Sequence, residues 1–193
     1  MLFRSRVRFI LTDGRSARSD VDAPDDARKS MLGEQQKAWF LAELLDAADR
    51  YPLTVWVNPL PWISAQTPGA DHWGGYATER RELADFIADN EIDGLVMVSG
   101  DAHMVAIDDG SNSDFTTDGA SGFPVIHAAA LDRPGAVKGG PYSHGTVPGG
   151  GQFGVLAVED PGESTVNVTL TGQTWEGDVL MSHEFSVESQ ATR

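Results

Sequence analysis

A turn that carries an aspartate and a histidine follows a near-continuous apolar run of the sequence. Gly94 to Ser99 (GLVMVS) is typical of a strand buried on both faces of a sheet, and Gly100-Asp101-Ala102-His103 comes directly after it. A loop at this place can turn the Asp101 carboxylate and the His103 imidazole toward one point, where both can bind a metal ion. The alternative is a turn-forming aspartate beside a structural histidine, and this spacing alone does not decide between them.

A second polar side chain stands at the end of another apolar strand. Leu53 to Val57 (LTVWV) is rich in β-branched residues, and Asn58-Pro59 ends it because proline lacks the donor that a strand ladder needs. A neutral amide oxygen is a weak metal ligand, so Asn58 is a candidate for substrate contact or weak ligation. A turn role at the end of the strand is an equal alternative.

A charged loop follows a third predicted strand, Val7 to Thr12. Asp13, Arg15 and Arg18 lie in the polar segment after it. An arginine there can hold a phosphate group through two parallel hydrogen bonds, which lysine does less well. The alternative is an Asp–Arg pair that only orders the loop.

The other histidines are weaker candidates for a site. His127 follows the apolar run FPVI and is predicted to be a core or strand-end histidine rather than a ligand. His144 lies in a glycine-rich loop with no evident partner in the sequence. His183 is interpreted as structural, and His72 as a loop residue.

Alternating strands and helices position these side chains. Amphipathic spacing predicts helices over Gly33 to Ala48 and Thr78 to Asn90, with Thr78 as the N-cap of the second. The apolar face of the first helix is predicted to hold Trp39, Phe40, Leu41, Leu44 and Leu45. The order of strands and helices over residues 7–99 favours an α/β layered fold, in which ligands bind at the carboxyl ends of strands. Beyond residue 103, short strands and glycine-rich turns indicate antiparallel pairing, and no repeat or linker divides the chain.

Composition excludes several classes of function. The 193 residues include 29 acidic and 14 basic side chains, and the net charge of -15 argues against a nucleic-acid partner. The absence of cysteine excludes disulfides, thiolate metal sites and cysteine nucleophiles. No apolar run reaches the roughly 18–20 residues of a membrane span, and the first residues do not resemble a signal peptide. The sequence as given is therefore predicted to be soluble and cytoplasmic.

Six segments, in this order, carry a family resemblance. They are TDGRSARSD (12–20), KSMLGEQQKAWFLAEL (29–44), WVNPLPW (56–62), DHWGGYATERRELADFI (71–87), GLVMVSGDAH (94–103) and GGGQFGVLAVE (149–159). The second and fourth are long and distinctive, whereas GDAH and the glycine run are weak by themselves. Together they cover most of the chain, which resembles the C-terminal half of PhoD-like alkaline phosphatases and phosphodiesterases.

The resemblance implies a fold, a chemistry and roles for residues. The fold would be the metallophosphatase four-layer β-sandwich flanked by helices, with metal ions between the strand ends. His103 and then Asp101 would be metal ligands, with Asp13 as a further candidate. Arg15 and Arg18 match the family's Asp-x-Arg-x-x-Arg stretch and would bind phosphate. The ions, of a type that the sequence leaves open among Fe, Ca, Mn and Zn, would activate water for hydrolysis of phosphate mono- or diesters.

This chain also departs from the family pattern. Asn58 stands where many metallophosphatases carry a histidine ligand, so catalytic involvement of Asn58 is weakened. The family's early metal motifs are expected before position 1, which predicts that residues 1–193 are the C-terminal portion of a domain incomplete at its N-terminus, with part of the metal site missing. Full-length members are often exported.

Two hypotheses therefore stay open. The chain is either a fragment that is completed by the missing N-terminal half or by a homo-oligomer, or a non-catalytic acidic relative that binds a metal or a partner. The second would place Ca²⁺ on short acidic loops such as DAPDD (22–26) and IDDGSNSD (107–114), although neither has the spacing of a recognised calcium loop.

Overall fold

The residues that the structure describes form two α-helices and nine strands. A computed structural model describes residues 6–120, 122–128, 130–162 and 164–188. Its elements are β1 (Val7–Leu11), α1 (Glu34–Arg50), β2 (Leu53–Asn58), α2 (Ala77–Asp89), β3 (Leu95–Ser99), β4 (Met104–Asp108), β5 (Val125–His127), β6 (Thr146–Pro148), β7 (Gln152–Glu159), β8 (Thr165–Thr174) and β9 (Val179–Glu188). A 3₁₀ turn, Trp73–Tyr76, precedes α2.

The strands form two sheets. The first has the order β1-β2-β3-β5-β4-β6, in which β1, β2, β3 and β5 are parallel and β4 runs antiparallel to both of its neighbours. The second is the antiparallel sheet β7-β8-β9. The change of pattern after residue 103 predicts this arrangement. Helical crossovers join the parallel strands β1, β2 and β3, and the strands after residue 103 pair with one another antiparallel.

Helices pack on one face of the first sheet and the second sheet packs on the other. The helical side holds a core of large rings, with Trp56 in contact with Phe40, Trp62 and Trp73 at centroid distances of 4.5, 5.4 and 6.1 Å. The opposite side is aliphatic and includes Val55, Val96, Ile107, Ile126 and Leu170. The predicted α/β fold, with packed sheets flanked by helices, is confirmed, and the described residues form three of its layers.

Not all of the first sheet is covered. β1 is an edge strand, and its alternate side chains Phe9 and Leu11 are 56% and 64% exposed. They pair in register with Val55 and Val57 of β2. The second sheet instead contacts β4 and β5. No helix among the described residues is long and apolar enough to cross a membrane.

The structure corrects two local predictions and adds one strand. Thr78 is not the N-cap of α2, which begins at Ala77, and the Thr78 hydroxyl donates instead to the backbone oxygen of Asp25 at 3.2 Å. On α1, Phe40 and Leu44 are buried, whereas Trp39 and Leu45 are exposed because they lie at the two margins of the buried face. β4 was not predicted, although its run MVAI lies between two turn-forming segments.

Candidate functional site

The carboxyl ends of β1, β2 and β3 lie side by side. Leu11 pairs with Val57 on β2, and Asn58 pairs with Ser99 on β3. The loops after β1 and β3 therefore leave the sheet at the same edge, which is where ligands of open α/β sheets bind. This topology brings the loop that carries Arg15 to the turn that carries Asp101.

Asp101 is held between two cations. One carboxylate oxygen accepts a hydrogen bond from Nη2 of Arg15 at 3.2 Å, and the other accepts one from Nζ of Lys138 at 2.9 Å. Asp101 also has a φ of 73°, in the left-handed region that few non-glycine residues adopt. The carboxylate is therefore presented by a backbone conformation that costs free energy, a feature found most often at functional sites.

The loop after β1 is organised by Asp13. One Asp13 oxygen accepts hydrogen bonds from the backbone N–H groups of Arg15 and Ser16 at 2.8 and 3.0 Å. The Ser16 hydroxyl, together with these two N–H groups, lowers the pKa of the Asp13 carboxyl. Asp13 lies in the exposed turn and stays a predicted ligand, with one of its oxygens used by the loop itself.

The two arginines of this loop reach the segment before α2. Nη1 of Arg15 lies 3.5 Å from a carboxylate oxygen of Asp71, and Nη1 of Arg18 donates to the Asp71 backbone oxygen at 3.2 Å. His72 follows, and its Nδ1 accepts from the N–H of Gly74 at 3.1 Å. Arg15 therefore bridges Asp71 and Asp101, so the predicted phosphate-binding arginine lies beside the predicted ligand.

His103 is fixed through one ring nitrogen. Its Nδ1 donates to the backbone oxygen of Pro134 at 3.0 Å, since a carbonyl oxygen only accepts. Its backbone oxygen accepts from the N–H groups of Ala136 and Gly149. In the neutral ring Nε2 therefore has a lone pair that can bind a cation. Histidine ligands of metal ions commonly donate their other ring N–H to a carbonyl oxygen, as Nδ1 of His103 does here.

His127 binds the Asp101–His103 turn from within the core. It is fully buried, its Nε2 accepts from the N–H of Ala102 at 3.0 Å, and its Nδ1–H donates to the Ser99 hydroxyl at 2.8 Å. Burial lowers the pKa of His127 to about 4. The structure places it in the core, as the apolar run before it predicts.

Asn58 is enclosed by the aromatic core. Its Nδ2 donates to the Leu60 oxygen at 2.7 Å, and its Oδ1 accepts from Nε1 of Trp73 at 3.2 Å. The side chain is fully buried, with both ends of its amide in use. This geometry fits the strand-ending turn role, and a contact of Asn58 with substrate remains a prediction.

The acidic loops considered for Ca²⁺ use their carboxylates internally. Asp108 is buried and accepts from the N–H groups of Gly110, Asn112 and Ser143 and from the Asn112 amide. Asp26 pairs with Arg28 at 2.7 Å. At least one carboxylate of each loop is therefore already engaged within the protein.

The described residues do not form a whole metal site. No group of three or more His, Asp or Glu side chains in that part of the chain is arranged to hold an ion. Asp101 and His103 offer one carboxylate and one imidazole, and Asp101 already pairs with two cations. The donor set thus fits one side of a metal centre and not a complete one.

Two members of the site were not predicted from the sequence. Lys138 lies 37 residues after Asp101 in a stretch of glycine and proline, where nothing in the local pattern indicates a function. Asp71 is part of the distinctive DHWGGY segment, which could have pointed to it.

One protein-family sequence model matches the part of the chain that contains most of this site. The sequence model of the PhoD-like phosphatase family matches residues 4–135, about two thirds of the chain, and so includes Arg15, Asp101 and His103. The segment 149–159 lies outside the matched range. No curated protein sequence matches the chain.

Solved structures similar to this one include the following two. A structure of PhoD matches 97% of the chain at 16% sequence identity with a TM-score of 0.54, and the match covers 43% of the PhoD chain. GAP50, the anchor in the inner membrane complex of Plasmodium, matches 88% of the chain and 47% of its own at 16% identity, with a TM-score of 0.49. The chain thus spans less than half the length of either structure, and the likeness to PhoD shows a shared fold.

Proposed function

We propose, because this chain belongs to the PhoD-like phosphatase family, that it contributes the C-terminal portion of an active site that hydrolyses phosphate mono- or diesters with metal ions. The family is generally metal-dependent. In this proposal the chain binds the phosphoryl group and supplies metal ligands from the Asp101–His103 turn.

The arrangement of Arg15, Asp101 and Lys138 carries this proposal. Two cations converge on one carboxylate at the sheet edge, at 3.2 and 2.9 Å. Both cationic side chains are partly exposed, so they can turn from Asp101 toward the oxygens of a phosphate ester. The planar guanidinium of Arg15 can bind two phosphoryl oxygens at once, and Lys138 adds a compact charge. Arg18 is proposed as a second phosphate-binding residue from the same loop.

His103 is proposed as the first metal ligand and Asp101 as the second. The hydrogen bond of His103 to Pro134 leaves Nε2 as the binding atom. A bound ion would supply polarisation of the phosphoryl group and of a water molecule. Because the described residues offer only part of a donor set, the remaining ligands are proposed to come from residues outside them, and the identity of the metal stays open.

The incomplete donor set also favours a second candidate function. A chain with Arg15 and Lys138 in place but without a full metal site would bind phosphate esters and not cleave them. The two functions share the phosphate contact and differ in metal content and turnover, so one set of measurements separates them.

The test combines metal content with activity. The purified chain is analysed for bound metal and assayed on p-nitrophenyl phosphate and bis(p-nitrophenyl) phosphate with added Fe, Ca, Mn or Zn. Hydrolysis that a chelator abolishes, and that is lost in His103→Ala and Asp101→Asn, supports the enzyme; the exposed His144→Ala is the matched control. A folded chain that binds inorganic phosphate, loses that binding in Arg15→Gln and cleaves neither ester supports the binding function. Absence of both binding and turnover overturns both.

A further inference from the structure

A buried arginine lies apart from the site around Asp101. Arg80, in the first turn of α2, is only 3% exposed. It forms no ion pair with any carboxylate in the described part of the chain, and burial lowers its pKa to about 10. A cation taken out of water without a counter-charge is costly, so its surroundings call for a physical explanation.

One edge and one face of this guanidinium have partners. Nη1 donates to the backbone oxygens of Trp62 and Ser64 at 2.7 and 2.8 Å and lies 3.3 Å from the Ser64 hydroxyl. The ring of Phe115 covers one face, with its centroid 3.5 Å from Cζ. These contacts fix the orientation of the group.

The other edge has no partner among the described residues. Nε is buried and unbonded, and no hydrogen bond is made by Nη2. Nε–H and the neighbouring Nη2–H point in parallel, which is the geometry that a carboxylate or phosphate group meets with two oxygens. An unsatisfied buried donor costs free energy that such a ligand would recover.

This arginine lines a cleft of about 240 Å³. Ser64, Gln66, Ala77, Arg81 and Phe115 also line it, so a second positive charge stands beside the first. The nearby carboxylate of Asp25 is engaged elsewhere, since it accepts from the N–H of Thr78 and the amide of Gln66 at 3.2 Å each. The cleft thus places two adjacent positive charges beside a pair of parallel donors that have no partner among the described residues.

We infer that this cleft binds an oxyanion, a carboxylate or phosphate group of a small molecule, on the Nε–Nη2 edge of Arg80. Arg81 balances the second charge of the anion and steers it to the cleft. The inference does not depend on the proposed phosphatase function, because no residue of the cleft belongs to the group around Asp101.

The test observes Arg80 directly. The Nε–H signal of Arg80 in a ¹⁵N NMR spectrum is assigned by its loss in Arg80→Lys and, independently of that variant's folding, by its proximity to the Phe115 ring. Inorganic phosphate and acetate are titrated separately into the full chain. We expect a saturable shift of this signal with at least one of them, and the effective probe identifies the ligand as phosphorylated or carboxylated.

Two variants locate the effect. Arg81→Gln should weaken the binding about two- to fivefold, as expected for one partly exposed charge, whereas the exposed Arg28→Gln should leave it unchanged. The shift must persist in Arg15→Gln, which removes the phosphate contact near Asp101. An Arg80 signal that neither anion moves, or one whose movement disappears in Arg15→Gln, overturns the inference without affecting the proposed phosphatase function.

Discussion

The imidazole Nε2 of His127 accepts a hydrogen bond from the backbone N–H of Ala102 at 3.0 Å. A buried side chain on β5 thereby holds the turn between β3 and β4, in which Asp101 and His103 flank Ala102. The acceptor exists only while Nε2 is unprotonated, which the low pKa of the buried ring ensures near neutral pH.

His127 should make stability depend on pH. Its pKa is about 4 in the folded chain against an ordinary 6.5. Between these values the unfolded chain binds a proton that the folded chain does not, so this contribution to stability is complete above pH 6.5 and is lost toward pH 4. The free energy of unfolding is expected to fall by about 3 kcal/mol over this range. Urea unfolding at pH 7 and pH 4 measures it.

The variant His127→Gln isolates that contribution. Its stability should fall less with acidification than that of the wild type, whereas His144→Gln, at an exposed position, should follow the wild type. Parallel curves for wild type and His127→Gln would contradict the assignment.

Asn58 is expected to matter for stability. Asn58→Leu would leave the buried Nε1–H of Trp73 and the Leu60 oxygen without partners, at a cost of about 2–4 kcal/mol. Chemical denaturation tests this, with the exposed Asn90→Ala as control, expected to cost less than about 1 kcal/mol. A stable Asn58→Leu chain with reduced phosphate binding or hydrolysis would point to substrate contact instead.

Neutralising Asp101 should strengthen anion binding. In Asp101→Asn the cations of Arg15 and Lys138 lose the carboxylate that they pair with. We expect inorganic phosphate, followed on the Arg15 side-chain NMR signal, to bind about three- to tenfold more tightly, with the gain reduced at high salt. Asp13→Asn, which alters a carboxylate bonded to backbone N–H groups, should change affinity less than about twofold. Weaker binding in Asp101→Asn would show that the carboxylate orients Arg15 more than it neutralises it.

Glu79 anchors the segment before α1 to α2. Its buried carboxylate accepts from the Ser30 hydroxyl and from the N–H groups of Met31 and Leu32. Glu79→Gln keeps one acceptor oxygen for the two N–H groups but turns amide protons toward the Ser30 hydroxyl and removes the charge that strengthens these bonds. We expect a cost of about 2–3 kcal/mol in unfolding experiments. The neighbouring Glu82→Gln, which removes only a surface pair with Lys37, should cost less than about 1 kcal/mol. Equal effects would argue against a buried anchor.

The first half of the fold is readable from the sequence because its signals are local. Apolar runs ending at proline, asparagine or glycine predict β1, β2 and β3 to within one or two residues, and amphipathic spacing does so for α1 and α2. The strand order β3-β5-β4-β6 is not readable, since it depends on pairing between residues more than 15 positions apart. Propensity carries no information on such partners.

Some residues of the site could be predicted from local sequence signals and others could not. Arg15, Asp101 and His103 each follow a strand, and parallel strands bring their carboxyl ends together, so their proximity could be predicted. Lys138 could not, because it reaches Asp101 through a long glycine- and proline-rich connection. Arg80 looks like one more charge on an amphipathic helix, and only the packed structure shows that it is buried.

The left-handed backbone at Asp101 bears on how such a chain evolves. At a φ of 73° the residues that fit with least strain are glycine and asparagine. In the genetic code each is a single base change from either aspartate codon. The carboxylate can thus be lost in one mutational step with little strain in the backbone, so a chain can lose this proposed metal ligand while its fold persists.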